Sequence, residues 1–367
     1  MASANEILVL TFANKAKEET VQRMKDKLGG VKGVSVSTFH ALGSKIIAEV
    51  SGEKKSLHGT AESDSKFNQY IDSRLSLYIN TDKKYAAAIA RYFSYYLYPM
   101  KEMESFHSLG EYYQYVKEVK LVTIKGEEVK SLEELQLANY FALNQIRYEY
   151  ERPYSQKTAT VLHRQYKPDF YLPDYEIYIE HFAINGQGRC PSNWSPEAQE
   201  KYLEGMTWKR QLHNTNSTVL VETTSAQFSN GSVFQDLSKE LKKRSVKHTP
   251  VDVLALIKDM KFKPVSMISN LISKFINLQK NKDLLIEEIV FLGQQLHSSG
   301  EMGRYNFQRF TEFIKIYKPI YQDYQSELQG RNEIDFNDMI NDALRSVKAG
   351  KFKSPWKYIL VDEFQDI

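Results

Sequence analysis

The apolar positions near the two ends of the chain follow the pattern of short parallel strands. Residues 6–12, EILVLTF, and residues 358–361, YILV, are apolar at nearly every position, which is typical of strands buried on both sides of a sheet. Residues 34–43, VSVSTFHALG, begin with an alternating strand and lead into a short helix through Val50. Because strands that alternate with helices form parallel sheets, the sequence predicts an α/β fold at both ends of the chain.

A helix is predicted between the first two of these strands. Asn14 stands where an N-cap is expected, and Gly29 and Gly30 stand where the helix should end. Between them, one apolar face recurs at helical spacing and consists of Val21, Met24 and Leu28. The chain therefore opens with a strand, a helix and a second strand.

The middle of the chain contains a second block of mixed helices and strands. Ser131 and Glu134 predict a capping box at the start of its first helix, and Pro196 occupies the first turn of a later helix. The predicted elements that follow the first helix are strands at 148–154, 166–172, 175–184 and 217–224 and helices at 195–214 and 233–244. Residues 56–125 and 250–346 show helical patterns without strand alternation.

Composition adds few restrictions to this pattern. The 367 residues are 42% hydrophobic, enough for two or three domains, and the net charge of +3 neither requires nor excludes a nucleic acid. The single cysteine, Cys190, excludes an intramolecular disulfide framework and a cysteine-rich zinc site. No apolar run approaches the roughly 18 residues of a membrane span, and the N-terminus lacks a signal-peptide pattern. We therefore expect a soluble, cytoplasmic protein without a membrane partner.

Four segments resemble motifs of UvrD/Rep-type superfamily 1 helicases and occur in that family's order. They correspond to motif Ia, motif Ib, the Asp-Phe-x-x-[Leu/Met] segment and motif II, and they are ILVLTFANKAKEETVQRM (7–24), VSTFHALG (36–43), EIDFNDMINDAL (333–344) and YILVDEFQDI (358–367). The intervening block, with YKPDFYLPDYEIYIEHFAI and GMTWKRQLH, resembles the insertion of helicase IV-like members. The resemblance implies a parallel RecA-like sheet fragment with a large, mainly helical insertion.

The resemblance also implies a division of the chain into five parts. Motor domain 1A is expected in two pieces, of which the first carries motifs Ia and Ib and the second ends in motif II. Two helical, 1B-like parts and a nuclease-like α/β module are expected between them. The predicted boundaries are 1–50 for the first piece of 1A, 51–130 and 249–330 for the helical parts, 131–248 for the module and 331–367 for the second piece of 1A.

Motif II carries the nucleotide chemistry that the resemblance implies. In nucleotide-hydrolysing sheets, a carboxylate at a strand end holds the Mg²⁺ that bridges the β- and γ-phosphates, and a second carboxylate orients the attacking water. The resemblance gives the metal-binding role to Asp362 and the second role to Glu363. It places Gln365 and Asp366 near the γ-phosphate, where they transmit its loss to the DNA site. The implied cofactors are ATP and Mg²⁺.

Motifs Ia and Ib imply a surface for single-stranded DNA. The residues carried over are Thr11, Phe12, Asn14, Thr38 and His40, whose hydroxyl and amide groups suit phosphates and whose rings suit bases. Each also has a structural alternative, because Asn14 suits a helix cap, Phe12 a core position and His40 an ordinary surface histidine. The implied partners are single-stranded DNA and duplex junctions, and the implied parent is an ATP-dependent DNA helicase that moves 3′ to 5′.

The phosphate-binding loop of such an ATPase does not occur in this sequence. That loop has the form G-x-x-x-x-G-K-[ST], and the family places it before motif Ia, where only residues 1–5 precede the first strand. The family also has an arginine-bearing second motor domain after motif II. We therefore expect the chain to be a fragment of a larger helicase that neither hydrolyses ATP nor unwinds DNA alone.

The middle block also resembles the core of PD-(D/E)xK nucleases. The resemblance places Asp169 and Glu180 at the two acidic strand positions and Glu134 on the preceding helix. In such a site, the carboxylates hold metal ions that stabilise phosphodiester cleavage, and a lysine offsets the developing charge. Phe182 stands where the pattern has its lysine, and Lys209 from the next helix is the candidate replacement.

These acids have non-catalytic explanations as well. Glu134 belongs to the capping box, Asp169 suits the start of a strand, and Glu180 falls on the face of its strand where a solvated acid is ordinary. The basic run at 239–248 suits either a phosphate backbone or a solvated helix face. A metal-dependent DNA nuclease module and a non-enzymatic DNA-binding module therefore stand as alternatives to the helicase interpretation.

Overall fold

The computed structural model describes the chain in seven segments and divides it into two compact units. The described residues are 3–29, 32–101, 105–106, 108–160, 164–252, 255–256 and 264–362. Unit 1 contains Met1–Leu75, Val265–Ile289 and Tyr317–Ile367, and unit 2 contains Ser76–Pro264 and Val290–Ile316. In the described part of the chain, no helix is both long enough and apolar enough to cross a membrane.

The strands are short and the helices are numerous. The strands of the described residues are β1 Ile7–Thr11, β2 Ser35–Thr38, β3 Ser56–Leu57, β4 Glu149–Tyr150, β5 Phe170–Leu172, β6 Ile177–Phe182, β7 Val219–Thr224, β8 Glu333–Ile334 and β9 Tyr358–Val361. The helices are α1 Asn14–Leu28, α2 Phe39–Ser51, α3 Asp64–Thr81, α4 Lys83–Arg91, α5 Leu109–Val119, α6 Leu132–Leu143, α7 Pro196–Thr215, α8 Ser225–Asn230, α9 Val233–Lys243, α10 Pro264–Asn281, α11 Ile286–Ser298, α12 Arg304–Arg331 and α13 Phe336–Lys348. The predicted mixed α/β class is therefore confirmed.

Unit 1 contains a three-stranded parallel sheet in the order β2-β1-β9. The central strand pairs with a strand from the start of the chain on one side and with a strand from its end on the other. Leu10 lies opposite Val361 in this register, and Thr11 lies opposite Thr38. The predicted parallel arrangement of these apolar segments is confirmed.

The predicted burial of β9 is wrong in this structure. Tyr358, Ile359 and Leu360 are 53%, 54% and 57% exposed, whereas Leu8 and Leu10 of the central strand are buried. The reason is the position of β9 at the edge of the sheet, where β1 is its strand partner among the described residues. An apolar run predicts a strand, but it does not distinguish a central strand from an edge strand.

The first helix begins one residue earlier than a cap at Asn14 requires. An N-cap has a non-helical backbone, and Ala13 has that conformation, with φ −112° and ψ 154°, while Asn14 is already helical. The predicted cap at Asn14 is therefore wrong. Gly29 does end the helix as predicted, with φ +68° in the left-handed region that glycine tolerates best.

The second helix is capped by Thr38, whose Oγ1 accepts a hydrogen bond from the backbone N–H of Ala41 at 3.2 Å. This helix packs closely against α13, and Gly43 lies at the contact. A Cβ at position 43 would stand 3.1 Å from the backbone oxygen of Met339, so glycine allows the approach. The shared apolar core consists of Ile46, Ile47, Ile334, Met339, Ala343 and Phe352.

A buried ion network supports the start of α13. Asp335 is the N-cap residue, and its Oδ1 accepts from the N–H of Asp338 at 2.8 Å. The ammonium of Lys280, whose side chain is 3% exposed, lies 2.5 Å from Asp335 Oδ2 and 2.6 Å from Asp338 Oδ2. The hydroxyl of Tyr324 also donates to Asp335 Oδ2 at 3.0 Å. One lysine is thus shared by two acids within unit 1.

Unit 2 contains a four-stranded sheet in the order β4-β5-β6-β7. The first three strands are antiparallel neighbours, and β6 and β7 are parallel. The first two strands are shorter than predicted. Glu151 has φ +47° and ends β4, and Pro168, which has no N–H to donate to a ladder, precedes β5.

The helices and the fourth strand of unit 2 lie close to their predicted bounds. The predicted helices at 195–214 and 233–244 are observed at Pro196–Thr215 and Val233–Lys243, and the predicted strand at 217–224 is Val219–Thr224. The sequence pattern missed β3 and β8, which pair in parallel in unit 1, because two-residue strands have no measurable periodicity. The core of unit 2 includes Phe141, Phe170, Leu172, Ile179, Val221, Leu237 and Leu241.

Candidate functional site

Motifs Ia, Ib and II meet where the strands of the unit 1 sheet have their carboxyl ends. Parallel strands end at the same edge, and the backbone N–H of Asp362 donates to the oxygen of Leu10 at 2.9 Å, which continues the β1–β9 ladder. Thr11 and Thr38, at the ends of β1 and β2, lie opposite each other. The structure therefore brings the predicted residues Thr11, Thr38 and Asp362 to neighbouring strand ends.

The two threonine hydroxyls are used within the protein. Thr11 is fully buried, and its Oγ1 donates to the oxygen of Ala13 at 3.3 Å. Thr38 is nearly buried, and its Oγ1 caps α2. These side chains shape the turns after β1 and β2, and in this structure they are not presented to a ligand. Asn14 is exposed in the first turn of α1.

Four rings form an aromatic surface beside these strand ends, consisting of Phe12, Phe39, His40 and Phe336. The ring centroids of Phe12 and Phe39 are 5.5 Å apart, and those of His40 and Phe336 are 4.8 Å apart. Phe12 is 48% exposed and Phe336 is 40% exposed, so Phe12 is not the core residue that its alternative explanation required. Exposed aromatic faces of this kind suit stacking against bases.

Of these four rings, only Phe12 and His40 are predicted from the motifs to contact DNA. Phe39 stands between two predicted residues of motif Ib, and Phe336 belongs to the Asp-Phe-x-x-[Leu/Met] segment, so both positions were visible in the motifs. Their exposure was the missing information. Partial burial lowers the pKa of His40, so its ring is neutral at pH 7 and presents a face instead of a positive charge.

Asp362 is the member of the predicted acidic set that the structure describes. Glu363, Gln365 and Asp366 lie outside the described residues. Asp362 is exposed and borders a groove of about 390 Å³, which is lined by Val9, Thr20, Arg23, Met24, Lys27, Leu28, Leu360, Val361 and Asp362. Mg²⁺ is commonly held by one or two carboxylates together with substrate phosphates, and an exposed carboxylate at a strand end fits that requirement.

The nuclease-like residues lie together in unit 2. Glu180 is fully buried, so the alternative of a solvated acid at this position is wrong. The reason is that β6 is covered on both faces, with every residue except His181 buried. Glu180 Oε1 accepts from the Tyr166 hydroxyl at 2.6 Å, and Glu180 Oε2 lies 2.5 Å from Lys209 Nζ.

Asp169 and Glu134 complete this carboxylate cluster of unit 2, defined as Glu134, Asp169 and Glu180. Asp169 Oδ2 accepts from the backbone N–H of His181 at 2.7 Å. Glu134 Oε2 accepts from the Tyr150 hydroxyl at 2.6 Å. Ser131 caps α6 as predicted, because its hydroxyl accepts from the backbone N–H of Glu134. In the predicted capping box, the Glu134 carboxylate would accept from the backbone N–H of Ser131. In the structure, Glu134 Oε1 accepts instead from the Ser131 hydroxyl.

The charge of Asp169 acts on both of the other carboxylates in this cluster. Burial, followed by the charge of Asp169, raises the pKa of Glu134 to about 7 and that of Glu180 to about 8. Burial also raises the pKa of Asp169, and the Lys209 ammonium opposes this shift. Nevertheless, among the residues that the structure describes, no three His, Cys, Asp or Glu side chains are grouped closely enough to hold a metal ion.

A histidine–glutamate pair beside the cluster was missed by the sequence analysis. His181 Nε2 lies 2.7 Å from Glu133 Oε2, and the Ser225 hydroxyl donates to the same oxygen at 2.7 Å. Burial alone would lower the pKa of His181, but the charge of Glu133 reverses the effect and raises it. The pair therefore places a histidine and a glutamate that are bonded to each other directly beside the cluster.

Comparisons with known proteins agree on one family. The model of the UvrD/REP helicase N-terminal domain matches residues 1–367. DNA helicase IV of Escherichia coli (strain K12) is 43% identical over 58 residues, which are 16% of this chain and 8% of that protein. The chain thus matches a small part of that relative's length. No solved structure matches the chain.

Proposed function

Because the chain belongs to the UvrD/REP helicase N-terminal domain family, we propose that it supplies part of the nucleotide site and part of the single-stranded DNA path of an ATP-dependent DNA helicase. The observation that carries the proposal is the pairing of β1 with both β2 and β9, which gathers three motifs at one sheet edge. In this proposal, residues 1–50 and 331–367 form motor domain 1A, with the helical parts 51–130 and 249–330 and the module 131–248 inserted between them.

The DNA contact that we propose is made mainly by ring faces. The aromatic surface offers exposed rings, while the hydroxyls of Thr11 and Thr38 hold the turns that carry Phe12 and His40. Stacking on bases tolerates any sequence, which suits a protein that moves along a strand. We add movement from 3′ to 5′ and a preference for duplex junctions to this proposal on the basis of the family resemblance alone.

The nucleotide contact that we propose is centred on Asp362. Its exposed carboxylate is suited to hold Mg²⁺, and the bound ion would neutralise phosphate charge on ATP. Arg23 and Lys27 line the same groove and place two cations beside it. The proposed partners of Asp362 are Glu363, which orients the attacking water, and Gln365 and Asp366, which sense the γ-phosphate.

Single-stranded DNA affinity tests the proposed surface. We expect a Phe12→Ala/Phe336→Ala double variant to bind a labelled oligothymidine at least 5-fold more weakly, because stacking contributes about 1–3 kcal/mol per base. Fluorescence anisotropy at fixed salt measures the dissociation constant. Leu344→Ala, which removes a 43%-exposed apolar side chain from α13, is the control. Unchanged affinity in a folded double variant would remove the support for this surface.

ATP hydrolysis by the purified 367-residue chain is a second measurement. Because the phosphate-binding loop does not occur in this sequence, we predict that the 367-residue chain alone is inactive. A DNA-stimulated rate that Asp362→Asn abolishes would contradict the predicted inactivity while supporting the role proposed for Asp362. A rate that Asp362→Asn leaves unchanged would contradict that role.

A further inference from the structure

The segment that connects α13 to β9 is strongly basic. Its sequence, KAGKFKSPWK (348–357), contains four lysines and no aspartate or glutamate, whereas the whole chain has 49 basic and 46 acidic residues. All four lysines are exposed, and the segment belongs to unit 1. We call residues 348–357 the basic loop. Because the chain as a whole is nearly neutral, this concentration of one charge is a local feature of the loop.

Most of the positive charge of the basic loop is not neutralised by acids of the protein. Lys357 pairs with Glu6 at 2.5 Å. Within the described residues, three of the lysines form no ion pair, and they are Lys348, Lys351 and Lys353. Asp342, near the end of α13, is already engaged by Arg345 at 2.6 Å. Exposed cations without an acid beside them create a positive potential that attracts anions.

The backbone of the basic loop is fixed at both ends and in its middle. The N–H of Lys351 donates to the oxygen of Ser346 at 3.0 Å, and the N–H of Lys357 donates to the oxygen of Glu6 at 2.8 Å. Between these bonds, Phe352 is 8% exposed and belongs to the core that α2 and α13 share. An anion that binds here therefore does not first have to order a flexible segment, which would lower its affinity.

Helix α2 adds another exposed cation beside the basic loop. The ammonium of Lys45 lies 5.2 Å from the ring centroid of Trp356, which is half-buried against the same core. The Ser354 hydroxyl accepts from the N–H of Trp356 at 3.1 Å and so fixes the backbone that carries the ring. A cation–π contact holds an ammonium without removing its charge. Glu49, one turn further along α2, forms no ion pair with Lys45 among the described residues.

Helix α13 connects the aromatic surface to the basic loop. Its first residue, Phe336, lies with its ring centroid 4.8 Å from that of His40, and its last residue is Lys348. Thirteen residues at about 1.5 Å each place the two surfaces roughly 18 Å apart along this helix. A stacked strand carries one phosphate per roughly 3.4 Å, so a strand on the rings reaches the loop within about five nucleotides.

The aromatic surface lacks the charge that nucleic-acid binding normally needs. Phosphate neutralisation by lysine and arginine supplies a large share of the affinity for a nucleic acid. Three members of the aromatic surface are phenylalanines, and the ring of His40 is neutral at pH 7. The basic loop has the complementary property, because it offers exposed ammonium groups. Together, the two surfaces provide both base stacking and phosphate contacts.

We propose that the basic loop, together with Lys45, binds the phosphate backbone of single-stranded DNA that extends from the aromatic surface. The choice of this ligand rests on the proposed function, whereas the charge and the fixed backbone of the loop do not. Lysine contacts phosphates as a point charge, and such contacts carry no sequence information. They therefore suit the same sequence-independent binding as the rings.

The salt dependence of DNA binding tests the proposal. Lys348→Gln/Lys351→Gln/Lys353→Gln removes three exposed charges and no core side chain. For a single strand, each phosphate contact adds about 0.7 to the slope of log affinity against log salt, so we expect the slope to fall by about 2. The affinity for a labelled oligothymidine of about 20 nucleotides should fall at least about 10-fold at about 50 mM salt. Fluorescence anisotropy between about 50 and 200 mM salt measures both quantities.

Two other variants separate this proposal from general charge and from the aromatic surface. Lys83→Gln/Lys84→Gln/Lys117→Gln removes the same net charge from exposed positions of unit 2 and should leave the slope nearly unchanged. Phe12→Ala/Phe336→Ala should weaken binding and keep the slope, because these rings carry no charge. A failure of the aromatic surface and a failure of the basic loop are therefore distinguishable.

Three results would overturn the proposal. The first is a triple variant of the basic loop with the melting temperature and the salt slope of wild type. The second is an equal loss of slope in the unit 2 triple variant, because position would then not matter. The third is tighter binding of labelled polyglutamate than of oligothymidine by wild type, lost in the loop variant, which would assign the loop to an acidic protein segment. Absence of any oligothymidine binding by wild type would contradict both this proposal and the aromatic surface.

Discussion

Replacing Lys280 with methionine should destabilise unit 1 strongly, because the substitution leaves buried Asp335 and partly buried Asp338 without their cation. Methionine matches the length of the lysine stem and removes only the ammonium. That ammonium bonds to Asp335 at 2.5 Å and Asp338 at 2.6 Å and lies 4.8 Å from the ring centroid of Tyr324. The variant therefore tests the charge and leaves the packing of the stem nearly intact.

The magnitude follows from the burial of the network. Removing one partner of a buried ion pair costs about 3–5 kcal/mol, whereas an exposed pair contributes about 0–1 kcal/mol. The side chains of Asp335 and Asp338 are 10% and 21% exposed, so water relieves part of the loss at Asp338. We therefore expect the free energy of unfolding of unit 1 to fall by about 3 kcal/mol.

Urea unfolding followed by the fluorescence of Trp356 isolates this effect. Two of the three tryptophans lie in unit 2, so a Trp194→Phe/Trp208→Phe background leaves Trp356 of unit 1 as the reporter. Lys66→Met, which breaks an exposed pair with Glu62, is the matched control and should change stability by less than about 1 kcal/mol. A loss below about 1 kcal/mol in Lys280→Met would refute the argument that this network is effectively buried.

The pH dependence of the same variant gives a second check. Burial raises the pKa of Asp338 in the folded protein, and the Lys280 ammonium opposes that shift. Without the ammonium, the folded protein should hold a proton on Asp338 that the unfolded chain releases. Stability then falls as pH rises through the interval between the unfolded and folded pKa values. The deficit of Lys280→Met should therefore shrink at low pH, and Asp338→Asn in that background should reduce it at neutral pH.

Two further substitutions test packing and titration. Gly43→Ala should lower the melting temperature by several degrees, because its Cβ would stand 3.1 Å from the Met339 oxygen, whereas Gly59→Ala meets no atom within 4 Å and should have little effect. Burial and the Asp169 charge raise the Glu180 pKa to about 8, so the stability of unit 2 should decline as the pH rises from roughly 4.5 to 8. Glu180→Gln removes the titrating group and should make this decline shallower, as measured by urea unfolding.

The fold was predictable where one periodicity extended over enough residues. The apolar runs at β1 and β9 predicted strands, and their parallel pairing followed from the helices between strands. The exposure of β9 did not follow, since a sequence pattern reports which residues are apolar and not what covers them. The start of α1 shows the same limit of sequence patterns. Asparagine is a favourable N-cap residue, but it is Ala13, and not Asn14, that has the extended backbone of an N-cap.

The candidate sites were predictable as motifs but not as surfaces. The motifs identified Phe12 and His40, while the exposure of Phe336 depends on packing between helices that are distant in sequence. Alternation along β6 allowed a solvated Glu180 as the alternative to a nuclease-like role, yet this strand is covered on both sides. Lys209 was named as a candidate, and only the structure places its nitrogen against Glu180.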